Sequence, residues 1–199
     1  MRDKEAIDHI CQLLEQGLPV DYHYHNIRHT RDVIEASTLL AQMEGLSDHD
    51  TALVRTAAAY HDAGFLEVYN GHEEHSIQMM YDILPEYDYS DTDLARIATM
   101  IRATILPQNA IDLCSKILCD ADMDYLGRPD FEDIANMLRQ EWAETGKVFT
   151  EEAWILLQVN FLRMHRYFTP SAKKTRNSGL QQNIEKYNAR WQSLTNQPE

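Results

Sequence analysis

Three short segments of the chain carry histidine and aspartate residues in a pattern that could bind a metal ion. His61 and Asp62 are adjacent and follow an alanine-rich run, residues 24–29 (YHNIRH) lie upstream of them, and residues 119–122 (CDAD) lie downstream. Two imidazoles and two carboxylates from three helices can surround one divalent cation. Such a mixed shell suits Mn²⁺, Fe²⁺, Co²⁺, Ni²⁺ or Zn²⁺ better than Ca²⁺. The segments therefore indicate a hydrolytic metal site.

Helices are the elements that must position these side chains. Apolar residues recur at helical period along nearly the whole chain, and no stretch shows the sustained alternation of a strand. Caps and glycine or proline stops predict helices near residues 3–16, 26–44, 48–62, 73–84, 91–104, 111–126, 131–145, 151–167 and 171–194. The predicted fold class is all-α, a bundle of roughly eight to nine helices.

The helical register turns the two candidate histidine ligands inward. His29 shares one face of the second helix with Val33 and Leu40, and His61 shares one face of the third with Leu53 and Ala57. A single inward histidine is more often a hydrogen-bonded core residue than a ligand. Several inward polar residues from separate helices are much harder to explain in that way.

An aspartate also occupies an apolar stripe of the predicted helix at 111–126. Asp122 falls in register with Cys114 and Leu118, where a leucine would be expected, and a buried ionised carboxylate is costly unless it is paired or bound to a cation. Asp120 and Asp124 are alternatives, because Asp120 continues a second apolar stripe. The residues by themselves leave the choice among these acids open.

Composition limits the partners and the location. The formal net charge of −14 makes sequence-independent binding to long nucleic acids unfavourable. No apolar stretch is long enough to span a membrane, and the N-terminus lacks the apolar run of a signal peptide. The three cysteines form no Cys-x-x-Cys pair and are predicted to be buried apolar residues. We therefore expect a cytoplasmic protein with a single domain over residues 1–199.

The charge is unevenly distributed, since the predicted helical segment near residues 163–194 is basic. Seven lysines and arginines stand between residues 163 and 190, against the single acid Glu185. One interpretation is a solvated basic face, and the other is a cationic lid for an anionic substrate. In the second interpretation Lys173, Lys174 and Arg176 bind the substrate phosphate, with Arg176 best suited to bidentate contact.

The order His29, His61-Asp62, Asp122 resembles the HD-domain superfamily of metal-dependent phosphohydrolases, in its small single-domain bacterial branch. The core motifs span residues 24–127, and residues 105–108 (ILPQ) and 167–172 (YFTPSA) extend the resemblance to about residue 176. It implies an HD-domain helical bundle around a buried metal site. His29, His61, Asp62 and Asp122 would hold one divalent transition metal (Mn, Fe, Co, Ni or Zn), with Mg²⁺ as a further candidate. Asp120 would then orient a ligand histidine or lie at the surface.

The resemblance implies hydrolysis of a small phosphorylated molecule, a phosphomonoester or a nucleotide-like anhydride, by a metal-activated water. Asp62 would help to take the proton of that water. His72 and Glu73 open the helix after the His-Asp pair, where backbone N–H groups favour anions. His72 is a candidate phosphate contact or proton donor and Glu73 a candidate water-orienting base, although both also suit a solvated first turn. His25 is a candidate substrate contact.

Other HD activities fit the residues less well. Phe65-Leu66 stands where alarmone hydrolases carry an acidic pair, and the HHE…GYP signature of cyclic-dinucleotide phosphodiesterases is absent from the sequence. One alternative is a dinuclear HD oxygenase or hydrolase, which needs two further histidines from separated positions, whereas His72 and His75 share one helical turn. A second alternative is a non-catalytic ligand-sensing module, although such proteins usually lose a ligand.

Overall fold

The computed structural model describes residues 1–195, and over these residues the chain forms nine α-helices, three short 3₁₀-helices and no strand. The α-helices are α1 (Asp3–Gly17), α2 (Ile27–Met43), α3 (Asp48–Tyr60), α4 (His72–Ile83), α5 (Asp91–Ala103), α6 (Leu113–Asp122), α7 (Phe131–Glu144), α8 (Glu151–Met164) and α9 (Pro170–Thr195). The 3₁₀-helices are Ala63–Leu66, Leu84–Tyr87 and Asp124–Gly127. The prediction of an all-α helical bundle is confirmed.

Side-chain caps explain where several helices begin. Asn26 accepts a hydrogen bond from the backbone N–H of Arg28, and Ser47 accepts one from that of Asp50. Ser90 forms a reciprocal capping box with the third residue of α5. These contacts satisfy N–H groups that have no partner within the helix.

Two predicted helices are shorter than expected. The helix expected at 111–126 begins only after Asp112, whose side chain caps Ser115, and it ends at Asp122 before a separate 3₁₀ turn. The helix expected at 151–167 ends at Met164, because the backbone of His165 is extended at φ −64° and ψ 141°. The earlier end of the first of these helices places Asp122 beside the two histidines.

The third helix is the centre of the core. It packs against α1, α2, α5 and α6, and Leu53, Val54 and residues 57–60 are wholly buried. Its run of alanines lets the surrounding helices approach closely, as a run of larger side chains would not. None of the described helices is long and apolar enough to cross a membrane. Cys114 and Cys119 are buried and Cys11 is half-buried.

Asp120 connects α6 to the start of α9. It neither orients a ligand histidine nor lies at the surface, which were the two roles expected for it. Its wholly buried carboxylate accepts hydrogen bonds from the backbone N–H groups of Phe168 and Thr169, at 2.7 and 2.8 Å, and from Thr169 Oγ1 at 2.7 Å. Further along α9, Gly179 lies so close to Gly127 that a Cβ there would be 2.0 Å from the Gly127 carbonyl oxygen. Asp120 therefore anchors the start of α9.

Candidate metal centre

The four predicted metal ligands come from the ends of three helices. His29 lies in the first turn of α2, His61 is the residue that ends α3, Asp62 follows it, and Asp122 is the last residue of α6. Helix ends allow the backbone to change direction, so side chains from α2, α3 and α6 can meet at one point. The three helices pack against one another, which brings these ends together.

The side chains of the four residues form one cluster. Nε2 of His29 lies 3.3 Å from Asp62 Oδ2 and 3.4 Å from Asp122 Oδ1. Nε2 of His61 lies 3.3 Å from the same oxygen of Asp62 and 3.7 Å from Asp122 Oδ1. The two Nε2 atoms are themselves 3.3 Å apart. One donor atom each from His29, His61 and Asp122 lies within 4.8 Å of the other two, and Asp62 Oδ2 contacts both histidines beside this group.

Burial and the neighbouring carboxylates set the electrostatics of the cluster. The side chains of His29 and His61 are only 7% and 2% exposed. Burial lowers the pKa of His29, but contacts with Asp122 and Asp62 outweigh it and raise the pKa to about 10. Burial raises the pKa of Asp122, but the two histidines outweigh that effect and lower it to about 2. The carboxylates are thus held ionised.

The donor set fits a divalent transition metal. Asp62 Oδ2 is buried and accepts no well-aligned hydrogen bond, although two imidazoles lie beside it. His61 Nδ1–H donates to the carbonyl oxygen of Ala58 at 2.8 Å, so its Nε2 presents a lone pair to the cluster. Donors around a tetrahedral ion with bonds of about 2.0–2.1 Å are about 3.3 Å apart. The separations among the donor atoms of His29, His61 and Asp122, 3.3 to 3.7 Å, are close to this spacing.

Among the three acids between residues 120 and 124, Asp122 is the one beside the histidines. Asp120 contacts the start of α9, as described above. Asp124 contacts Arg176 at 2.6 Å and lies 3.9 Å from Arg128. Although only two positions separate each of these acids from the next, each side chain contacts a different part of the protein.

A cavity of about 560 Å³ opens on the cluster. His61, Asp62 and Asp122 lie at one end of it, with His25, His72 and Glu73 beside them. The remaining wall is largely apolar, and its larger side chains are Leu106, Met123, Leu138, Trp142, Leu157 and Phe161. The cavity therefore offers both polar and apolar contacts to a ligand.

His72 contacts the cluster directly. Its Nε2 lies 3.2 Å from Asp62 Oδ1, and its ring stacks on Phe65 with the centroids 3.9 Å apart. Burial lowers the pKa of His72, but the carboxylate of Asp62 outweighs it and raises the pKa. Gly64 makes this approach possible, because a Cβ there would lie 2.0 Å from the His72 carbonyl oxygen. Glu73 Oε2 is 3.7 Å from His72 Nδ1 and also lines the cavity.

His25 lies on the same side of the cavity as His72. Its ring stacks on Phe65 with a centroid distance of 4.3 Å, and its Nδ1 pairs with Glu141. His75, by contrast, is exposed and pairs with Glu67 at 2.7 Å, away from the cluster. The first turn of α4 thus contributes its first histidine to the cavity and not its second.

The structure does not bring the predicted cationic lid to the cavity. Lys173 Nζ contacts the carbonyl oxygen of Phe168 at 2.9 Å, Lys174 is exposed, and Arg176 pairs with Asp124. None of these three cations lines the cavity, because the start of α9 is held on the far side of α6 by Asp120. Among residues 1–195, no lysine or arginine lines it.

Glu141 is the main residue of this region that sequence analysis missed. It is wholly buried on α7 and contacts both His25 and Tyr69. The sequence held a signal for it, since Ile134, Leu138 and Glu141 recur at the spacing of one helical face. Glu141 thus occupies an apolar stripe of α7, as Asp122 does on α6.

Comparisons with known proteins identify the domain family and the fold. Residues 26–123 match the family model for the HD domain. No curated protein matches the sequence significantly. Among solved structures, Bacillus subtilis YpgQ in complex with ADP is 16% identical, with a TM-score of 0.69 over 97% of this chain and 96% of that one.

Two further structures share the fold. A predicted HD superfamily hydrolase from an uncultured Thermotogales bacterium is 20% identical, with a TM-score of 0.63 over 94% of this chain and 92% of its own. A Lactobacillus plantarum protein is 17% identical, with a TM-score of 0.68 over 97% of this chain and 100% of its own. At these identities the similarities establish the fold.

Proposed function

Because this chain is an HD-domain protein across residues 26–123, we propose that it is a metal-dependent phosphohydrolase of a small phosphorylated molecule. The observation that carries the proposal is the group of donor atoms from His29, His61 and Asp122, with Asp62 beside it, next to a cavity of about 560 Å³ that His61, Asp62 and Asp122 line. His29, His61, Asp62 and Asp122 would hold the ion. Its donor set suits Mn²⁺, Fe²⁺, Co²⁺, Ni²⁺ or Zn²⁺.

The protein residues around the cluster suit the proton transfers of hydrolysis. A bound divalent cation supplies a nucleophile at neutral pH by lowering the pKa of coordinated water, and it polarises a phosphoryl oxygen. Asp62 takes the proton of the attacking water, since its carboxylate is ionised and lies in the cluster. His72 Nε2 holds a proton 3.2 Å from Asp62 Oδ1 and gives it to the leaving oxygen. Glu73 orients the water from the next position of α4.

The cavity favours a phosphate ester or anhydride with an apolar or aromatic leaving group. Trp142, Leu157 and Phe161 line the same cavity as the ligands and can bury such a group. YpgQ, which has the same fold, has been crystallised in complex with ADP. A nucleotide anhydride is therefore a member of the substrate class that we propose, beside simple phosphomonoesters.

A metal and substrate screen tests the proposal. Purified protein is stripped with chelator, reloaded with one divalent metal at a time, and assayed with p-nitrophenyl phosphate, ADP and other phosphorylated metabolites. We expect turnover that needs the metal and is lost in Asp122→Asn. The matched control is Asp130→Asn, an exposed acid outside the cluster. Binding of phosphorylated ligands without turnover in any metal form would instead favour a ligand-sensing module.

Metal counting on the same samples separates the mononuclear site from the dinuclear alternative. We expect one ion per chain, because the second group of histidines that a dinuclear site requires is incomplete in residues 1–195: His75 faces away and His25 is engaged by Glu141. Two ions per chain would favour the dinuclear HD oxygenase or hydrolase.

A further inference from the structure

One amide side chain in the wall of the cavity of about 560 Å³ is buried without a hydrogen-bond partner. Gln158 is only 5% exposed and lines the cavity. Within residues 1–195 its side chain makes no hydrogen bond to another protein group. Asn183, the other amide side chain buried in this part of the chain, donates to the carbonyl oxygens of Leu126 and Arg128 at 2.9 and 3.0 Å. Most buried polar side chains have such partners, so the amide of Gln158 needs an explanation.

Packing of the core does not explain a polar residue at this position. On α8, Ile155, Gln158 and Leu162 fall on one face of the helix, and the two apolar residues are wholly buried. A leucine at position 158 would continue this apolar face without leaving an amide unsatisfied in the interior. Local choices that disfavour the folded chain in this way are expected at functional sites.

Other side chains of the same cavity wall form an apolar and aromatic surface. Trp142 of α7 and Leu157 and Phe161 of α8 line the cavity together with Gln158. Aromatic rings offer flat faces to a planar ligand, and ligand sites typically combine such a surface with a few polar groups that fix the orientation. An amide presents an N–H donor and a carbonyl acceptor. It can therefore pair with a ligand edge on which an acceptor stands next to a donor.

We propose that Gln158 is a specificity-determining residue whose amide pairs with the edge of a heterocyclic base, so that the substrate is a nucleotide. The base lies against Trp142 and Phe161, while its phosphate groups reach the metal ligands Asp62 and Asp122, which line the same cavity. The cavity volume of about 560 Å³ lies within the range of about 300 to 1,000 Å³ found for small-molecule sites. The inference rests on the proposed function. It narrows the substrate from phosphorylated molecules in general to nucleotides with a preferred base.

Calorimetry of the manganese-loaded protein with non-hydrolysable probes tests the proposal. The probes are the α,β-methylene diphosphates of adenosine, guanosine, cytidine and uridine, with methylenediphosphonate as the probe that lacks a nucleoside. Wild type should bind one of the four nucleotides at least about tenfold more tightly than another, because a buried amide left unpaired penalises the wrong base edge. Gln158→Leu should lose this preference and keep its affinity for methylenediphosphonate within about twofold. Equal binding of the four nucleotides by wild type, or an unchanged preference in Gln158→Leu, would overturn the proposal.

The matched control is Asn160→Leu, which places the same new side chain at an exposed amide of the same helix. It should leave all the affinities within about twofold of wild type, and a loss of preference there would overturn the proposal. Thermal unfolding of the metal-free proteins separates binding from a structural role. Gln158→Leu should unfold at the wild-type temperature or above it, because the change removes an unpaired buried amide. A lower melting temperature would show that the amide supports the fold instead.

A second measurement does not depend on the Gln158 variant. Because Trp142 lines the cavity, the preferred α,β-methylene nucleotide should quench tryptophan fluorescence in wild type and much less in Trp142→Phe. Quenching of the same size in Trp142→Phe, or none in wild type at saturation, would overturn the proposal. None of these measurements requires turnover. Base-selective binding by an inactive protein would contradict the proposed function alone, and hydrolysis without any base preference would contradict only this inference.

Discussion

The Nε2 atoms of His29 and His61 lie 3.3 Å apart in the interior of the protein, and Asp62 Oδ2 is 3.3 Å from each of them. Two imidazole nitrogens that face each other at this distance cannot both point a proton along the line between them. A shared cation satisfies both lone pairs and the carboxylate together.

Removing one ligand should empty the site, whereas removing a nearby buried acid should not. Asp122→Ala is expected to lose most of the bound metal, as measured by elemental analysis after dialysis. Asp120→Ala should retain metal but leave two buried N–H groups at the start of α9 without partners. That loss should cost at least about 2 kcal/mol of unfolding free energy. Metal loss in Asp120→Ala and not in Asp122→Ala would contradict the assignment of ligands.

Metal binding should stabilise the fold. The folded cluster binds the ion far better than the unfolded chain does, so mass action raises stability by about 2.7 kcal/mol at a free metal concentration 100 times the dissociation constant. Thermal unfolding with and without chelator measures this shift. Asp122→Ala should show no response to added metal, and a wild-type melting temperature indifferent to both metal and chelator would count against the site.

The two histidines in the first turn of α4 should differ sharply in importance. His72 contacts Asp62, whereas His75 is exposed and contacts Glu67. If His72 donates the proton to the leaving oxygen, His72→Ala should lower kcat by about 10² to 10⁴ with the metal retained. His75→Ala, the control on the same helix, should stay within about twofold of wild type in steady-state assays. Equal effects of the two changes would remove His72 from the mechanism.

His165 should make the protein less stable in mild acid. Burial lowers the pKa of His165 to about 4, and the attraction of Asp122 does not compensate. Since the unfolded value is about 6.5, the unfolded chain binds more protons between these limits, and stability falls as the pH drops from 6.5 towards 4. Between pH 7.5 and 5 the contribution of His165 by itself should fall by about 2 kcal/mol, while the raised pKa of His29 acts in the opposite direction.

Urea unfolding of wild type and His165→Gln at the two pH values measures this contribution as the difference between the two proteins. His165→Gln should remove it, because its amide does not titrate. His49→Gln is a suitable control, since His49 is an exposed histidine remote from the cavity. An acid-induced loss of the same size in His165→Gln would assign the effect to other groups.

The basic start of α9 should contribute to stability and not to substrate binding. Arg176 pairs with the largely buried Asp124, and Lys173 contacts a carbonyl oxygen of its own segment. The double change Lys173→Ala with Arg176→Ala should lower the unfolding free energy by about 1 to 2 kcal/mol. It should leave metal content and kcat/KM within about twofold of wild type. A tenfold loss of kcat/KM would instead support the interpretation of this segment as a cationic lid over the substrate.

The sequence by itself determined the helices and the main candidates for the site. Helical period and capping are properties of neighbouring residues, so the starts of α3, α5 and α8 could be predicted from Ser47, Ser90 and Thr150. The inward register of His29 and His61 follows from the same periodicity. The order of the motifs, together with the resemblance to HD proteins, selected Asp122 among the neighbouring acids as a metal ligand.

Only the tertiary structure decided which charged groups meet. His25 and Glu141 are separated by 116 positions, and Asp124 and Arg176 by 52. A basic segment in an acidic chain looks the same in sequence whether it covers a cavity or lies against a distant helix. Coulombic and hydrogen-bond partners are set by distances of a few ångströms, and packing fixes these distances. Periodicity therefore predicts that a residue points inward, and the packing of α7 and α9 decides what it contacts there.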